Sequence, residues 1–311
     1  MKKSLLLFGI LGILVIIACS NIKADKAIKT TTEKPVQIKK PAKELSEDFK
    51  KYWYSGTAEI TSYQLEQARY GEIRKGKTVL IYVTEDFLSR EQVKADDQND
   101  TNIPVLKLNA TKKFNTGIYP YSIMQSTFYP VSDNQHALKI SSSMQEWCGH
   151  VYAQLNNREQ YEILSHSYFQ GEADQEFSLN KTILENELWT KIRIDPDNLP
   201  KGNIEIIPSF EYCRLRHKEI KAYSAIANLQ NENDFYTYTI EYPTLSRTIN
   251  ITFNKTFPYE IESWSETFKS GFGASAKELT TKAIKIKRIK SPYWGKNSNH
   301  DEVLREELGL K

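Results

Sequence analysis

The chain has 311 residues and is nearly neutral, with Lys+Arg 42 against Asp+Glu 39 and a formal net charge of +3. This balance gives no electrostatic footing for nucleic acid or for an acidic membrane surface as a partner of the folded body. Its 18 Tyr, 13 Phe and 5 Trp lean the composition towards strands.

The first element in chain order is a targeting signal. Met1-Lys2-Lys3 is followed by a nearly pure apolar run from Leu5 to Ile17, the length of a signal-peptide core and short for a membrane span. The run ends in Ile16-Ile17-Ala18-Cys19, which looks like a bacterial lipobox: an aliphatic residue, a tolerant position, a small residue, then the cysteine to be acylated. Residues 1–18 are therefore expected to leave as a lipoprotein signal peptide, with Cys19 as the site of lipid attachment. Loss of Lys2 and Lys3 brings the charge to about +1. One acyl chain binds a membrane marginally, whereas two or more anchor stably. The expected location is the cell envelope, on the outer membrane and its periplasmic side, because no acidic run follows Cys19.

Residues 19–48 carry the lipidated cysteine and a Lys-, Thr- and Pro-rich stretch without apolar periodicity, which reads as a disordered tether spanning roughly 30 Å on average. Residues 49–311 read as a single β-rich body. Period-two apolar alternation begins at Phe49 and continues around Ala58 and Ile60; Lys75-Gly76-Lys77 reads as a turn before the run Val79-Leu80-Ile81-Tyr82-Val83. Short strand-like segments follow to about residue 173, with Asn156-Asn157 as a hairpin turn. Asp174 to Trp189 places Phe177, Ile183, Leu184 and Leu188 near helical spacing, and Asp195-Pro196 then turns the chain. A second β half occupies about 190–295. Tyr236, Tyr238, Ile240 and Tyr242 alternate in it, and a hairpin at 243–246 leads to Ile249, Ile251 and Phe253. Residues 300–309 read as a terminal helix stopped by Gly309. The fold expected is mainly β (β-rich α+β): a large curved antiparallel sheet or two packed sheets, with a short helical insertion and a C-terminal helix.

Candidate chemistry is sparse. Trp147-Cys148-Gly149-His150 spells a disulfide-exchange motif up to its second cysteine, where Val151 stands instead. That chemistry needs the cysteine at a helix N-terminus, and the flanking residues read as a hairpin. With Cys19 given to lipid, Cys148 and Cys213 remain, and in an exported protein they form a candidate disulfide. Cys148 and His150 are the candidates for a nucleophilic site. A two-residue turn at Asn157-Arg158 would put His150 and His166 on opposite sheet faces, so no metal site is expected, and no motif calls for a cofactor. Tyr119, Tyr121, Tyr236 and Tyr238 are candidates to line a cavity for an amphipathic ligand.

The segments at 52–87, 105–131 and 141–157 resemble a family of Bacteroidota lipoproteins of unknown function, and the likeness runs through nearly all of the body. Members have carried the label "septum formation inhibitor Maf", which implies a cytoplasmic nucleotide pyrophosphatase. The chain has no Ser-Pro-Arg-Arg-type phosphate-binding motif, no α/β pattern, and an export signal, so the label does not suit it. In architecture the expected body is similar to the half-barrel carriers of lipids and lipoproteins. The function expected is that of a non-enzymatic envelope lipoprotein binding a lipid, another amphipathic ligand or an envelope protein partner. The alternatives are an envelope hydrolase or transferase using Cys148/His150 or a carboxylate, and a structural spacer.

Overall fold

The structure, a computed structural model, describes residues 44–132 and 135–311. The signal segment, Cys19 and the tether up to residue 43 lie outside the described residues.

Among the described residues, sixteen strands form one sheet. The first half of the chain supplies β1 (Ala58–Arg69), β2 (Glu72–Leu88), β3 (Val93–Lys94), β4 (Ile103–Thr116), β5 (Tyr119–Pro130), β6 (Lys139–Glu146), β7 (Gly149–Asn157), β8 (Tyr161–Ser167) and β9 (Gln175–Leu179). The second half supplies β10 (Ile183–Leu184), β11 (Gly202–Ile207), β12 (Tyr223–Glu232), β13 (Phe235–Tyr242), β14 (Arg247–Asn254), β15 (Ile261–Ser270) and β16 (Lys277–Ser291). Each half is an antiparallel meander apart from the parallel pair β10–β11. The halves join where β1 pairs antiparallel with β16, from Ala58↔Ser291 to Glu66↔Lys282. The mainly β, curved antiparallel sheet expected from the sequence is the fold observed.

The sheet's two free edges, β9 and β10, are separated in sequence only by residues 180–182. So short a link forces the edges together and curls the sheet into a barrel with an open seam. Thr182 fastens the seam: its carbonyl accepts from the Tyr161 hydroxyl on β8, and its own hydroxyl donates to the Glu205 carbonyl on β11.

A helix fills the lumen. α2 (Glu185–Ile194) has eight of its ten residues buried, Trp189 and Ile194 excepted, so apolar and charged faces alike are enclosed. Leu188 and Ile192 join the core with Leu80, Tyr82, Ile240, Ile251 and Trp264 from the surrounding strands. A helix buried all round needs partners for its polar groups, and the strands provide them. Two ion pairs brace its ends. At its N-terminal end Glu185 accepts from Nη1 and Nη2 of Arg247, whose Nε donates to Glu266 at 2.6 Å. At its C-terminal end Arg193 forms a bidentate pair with Glu59 at 2.6 and 2.8 Å and lies over the Tyr82 ring.

Several local readings are corrected by the structure. Residues 47–53 are a helix, α1 (Glu47–Trp53), because Ser46 caps the Phe49 amide and Phe49 and Trp53 bury on one side. Residues 175–179 are strand β9, and the insertion helix starts only at Glu185, since Phe177 and Leu179 alternate onto the second core cluster. Lys75-Gly76-Lys77 is strand interior, and the turn is at Tyr70-Gly71. Gly76 is required there by closeness to the neighbouring strand: a Cβ would lie 2.3 Å from the Lys113 carbonyl oxygen. Residues 210–215 are α3 (Phe210–Leu215), capped by Ser209, where a strand-like segment was expected. α4 (Val303–Glu307) is the terminal helix, and Gly309 follows it at φ +64°.

Candidate functional site

The lumen and the outer face of the same strands offer different environments. The lumen retains a cavity of about 60 Å³ above the N-terminal end of α2. Lys112–Glu211 at 2.6 Å, Gln125 on Glu211 at 3.0 Å and Asn186 on Gln125 at 2.9 Å form a continuous polar wall. Burial raises the Glu211 carboxyl above its ordinary range, with Lys112 opposing it. Burial also disfavours the Glu185 and Glu59 carboxylates, but Arg247 and Arg193 reverse this and hold both below the usual value. The Oε1 of Gln67 and the Oγ1 of Thr78 border this space without a protein partner, a setting suited to a few ordered waters. The cavity is far below the roughly 300–1,000 Å³ of small-molecule sites.

The outer face carries the larger space. Residues 292–311 run back across β1 and β16 on the side away from the lumen. Leu308 drops into an apolar slot with Ala58, Ile60 and Val83, and its carbonyl accepts from the Ser62 hydroxyl at 2.6 Å. Between this segment and the outer surfaces of β2, β4 and β5 lies a groove of about 930 Å³. Strand alternation explains its floor: Thr78, Leu80 and Tyr82 point into the lumen, so Val79 and Ile81 point out. Ile289, Tyr293 and Leu304 complete the apolar lining on one side, and Met124 on the other. Lys75, Lys77, Lys113 and Arg305 border it, and the groove's acidic side chain, Asp301, is engaged by Lys296, His300 and the Ser298 amide.

The residues singled out by sequence are dispersed. Cys148 and Cys213 are both free, and the expected disulfide is absent. Cys148 is exposed on the β6–β7 turn, whereas Cys213 is buried in α3 with its Sγ towards the Pro208 and Glu219 carbonyls. Burial pushes the Cys213 thiol up to about 12. The Glu146 carboxylate beside the Cys148 thiol raises its pKa, the opposite of what a thiolate nucleophile needs.

The 146–152 stretch is a strand turn. Glu146 accepts from the Cys148 amide at 2.7 Å and from the Tyr168 hydroxyl at 2.9 Å. Gly149, at φ +155°, leaves room for the Tyr168 ring, which a Cβ would meet at 2.7 Å.

The β7–β8 loop is residues 158–160, so Tyr152 faces His166. His150 and His166 therefore share the exposed outer face, contrary to the opposite faces expected from a two-residue turn, and His166 pairs with Asp174 at 3.2 Å. Among the described residues no group of three or more His, Cys, Asp and Glu side chains is placed to hold a metal ion.

Of the four tyrosines, Tyr238 is a core residue bonded to the Pro200 carbonyl, and Tyr236 packs against Phe253. Tyr119 sits at the rim beside Tyr121. Tyr121 borders the groove, but its ring is buried, stacked on Phe114 at 4.9 Å and bonded to Arg69. The groove residues themselves were missed. The available signal was that Val79 and Ile81 alternate with an equally apolar inner face, which marks a strand covered on both sides.

No protein-family model matches the chain, and no curated protein matches it. A solved structure from Brucella abortus, a β-barrel-like protein of Domain of Unknown Function DUF1849, is similar at a TM-score of 0.44 and 8% identity, over 75% of this chain and 98% of that one.

Proposed function

We propose that this chain is a lipid-anchored protein of the bacterial cell envelope, held to the outer membrane through Cys19 on its periplasmic side, whose β body binds an amphipathic ligand without chemistry. The carrying observation is the groove of about 930 Å³ on the outer face, with its aliphatic floor and charged border. Its size falls within the range of small-molecule sites, and an apolar floor with a few polar groups at the edge is their usual make-up. The lumen, braced by α2 and its ion pairs, leaves space only for water-sized occupants.

A fatty acid bearing a diazirine along its chain, photolysed with the purified full chain, tests this reading. The expected result is saturable labelling confined to residues 75–81, 111–124 and 289–310, lost in Ile81→Glu, which puts a charge on the floor. Labelling scattered over the surface, or unchanged in Ile81→Glu, would refute groove binding. The anchor is tested separately: Cys19→Ala should abolish incorporation of an alkynyl fatty acid in cells.

A further inference from the structure

The border of the groove is not electrostatically neutral, and its charges are poorly compensated. Lys77 on β2 stands directly opposite Lys113 on β4. Like charges directly across an antiparallel pair are destabilising. Lys75 lies two residues along β2 from Lys77 and so projects from the same face. Glu66 is opposite Lys75 in the β1–β2 ladder, yet no ion pair joins them, and Lys77 donates to the neutral Gln64 Oε1 at 3.0 Å. Arg305 is turned to the Leu310 carbonyl at 3.1 Å. Three lysines thus border one end of an apolar trough, and among the described residues none of them is ion-paired, Glu66 being the carboxylate nearest along the ladder.

We propose that the groove selects a single-chain amphiphile with an anionic head, a long-chain carboxylate, whose tail lies over Val79, Ile81 and Met124 and whose head is held by Lys75, Lys77 and Lys113. The inference rests on the groove reading above and adds the charge of its ligand. The chain's own tether is the wrong occupant, because residues 20–43 carry seven lysines against Asp25 and Glu33 and would be repelled. Three lysines at one border also discriminate by sign, which an aliphatic floor cannot do.

The test is competition against the diazirine fatty acid on the full chain, using hexadecanoate, hexadecanol and hexadecyltrimethylammonium, which share a chain length and differ in head charge. Hexadecanoate should compete at least tenfold better than hexadecanol, and the cation should not compete. In Lys75→Gln/Lys77→Gln/Lys113→Gln, hexadecanoate should weaken to the level of hexadecanol while hexadecanol itself is unchanged. The preference should also shrink as salt rises. These lysines are exposed or half-buried strand positions, so the triple variant is expected to fold, and circular dichroism checks it; Lys218→Gln on a distant loop controls for general surface charge. Equal competition by all three heads, or a triple variant indistinguishable from the parent, would overturn the charge selectivity while leaving the groove intact. Failure of every competitor, with no saturable label in the groove, would overturn both readings. Groove protection by a second copy of the chain or by residues 20–43, seen as cross-links between those segments, would replace the carboxylate as occupant.

Discussion

The two faces of β2 differ more than their nearly equal hydrophobicity suggests. Its lumen side, Thr78, Leu80 and Tyr82, is buried at 2% exposure or less and meets α2 and the opposite wall. Its outer side, Lys77, Val79 and Ile81, borders open space under the C-terminal segment. A curled sheet leads one to look for a ligand inside, but here the chain's own helix occupies the inside. The charges at the two ends of that helix are matched, Glu185 by Arg247 and Arg193 by Glu59, and Glu187 between them accepts from the Ala137 amide. On the outer face, Lys75, Lys77 and Lys113 at the groove border form no ion pair. The interior is therefore closed by the chain's own helix, and the proposed ligand groove lies on the outside.

The sharpest way to break this comparison is to unmatch an interior charge. Glu59→Gln leaves the Arg193 guanidinium, 1% exposed, without its counter-ion. Removing one partner of a buried pair costs about 3–5 kcal/mol. Denaturant unfolding of the full chain should show that loss, whereas Lys77→Gln on the outer face of the same sheet should stay within about 0.5 kcal/mol of the parent. A loss below about 1 kcal/mol for Glu59→Gln would mean that water reaches the pair and that the lumen is open.

A smaller effect follows from pH. The Glu59 and Glu185 carboxyls are held below the ordinary 4.5 by Arg193 and Arg247 against the cost of burial. Groups whose folded pKa is depressed contribute stability that is present above the unfolded value and lost as pH falls through the folded one. Glu211 acts in the other direction: burial raises its pKa, so the stability it contributes is present at low pH and lost as pH rises through that raised value. Unfolding free energy should fall as pH drops below about 4.5, the window of the two depressed carboxyls, whereas the Glu211 contribution changes only above it. Glu59→Gln should flatten the acid limb, and Glu211→Gln should leave that limb in place and remove the opposing change at higher pH. An acid limb unchanged in Glu59→Gln would remove the pair from the account of what shuts the interior.

Much of the fold was legible and little of the groove was. Strand alternation in 235–254 and the turn at 243–246 stand where the sequence put them. The insertion helix was misplaced by about ten residues because Phe177, Ile183 and Leu188 fit a helical spacing as well as they fit two short strands followed by a helix. Ser46 caps a helix that aromatic-rich 49–54 had hidden, since Phe49 and Trp53 are four apart and serve either period. The groove needs long-range facts that no local pattern holds. These are the pairing of Lys77 with Lys113 across 36 positions, and the return of residues 292–311 over β1.

The cysteines repeat the comparison at its smallest scale, one thiol facing in and one facing out. A disulfide would have tied the halves of the chain together, but the ladder between β1 and β16 already does so through nine paired positions. The free thiols should therefore separate by accessibility. Iodoacetamide on the native full chain should modify Cys148 and spare Cys213 until denaturant is added, as read by mass mapping of the peptides that contain each. Cys148 should react more slowly than an unhindered thiol at the same pH, because the thiolate form competes with the Glu146 carboxylate beside it. Glu146→Gln keeps one acceptor oxygen for the Cys148 amide, its NH2 can donate to the Tyr168 hydroxyl oxygen, and the charge is removed, so it should speed alkylation with little change in the unfolding midpoint. If Glu146→Gln leaves the rate unchanged, the carboxylate is turned to solvent rather than to the thiol. If both cysteines resist alkylation until reductant is present, they are bonded in the mature protein, and α3 must then sit closer to the β6–β7 turn than an exposed Cys148 and a buried Cys213 imply.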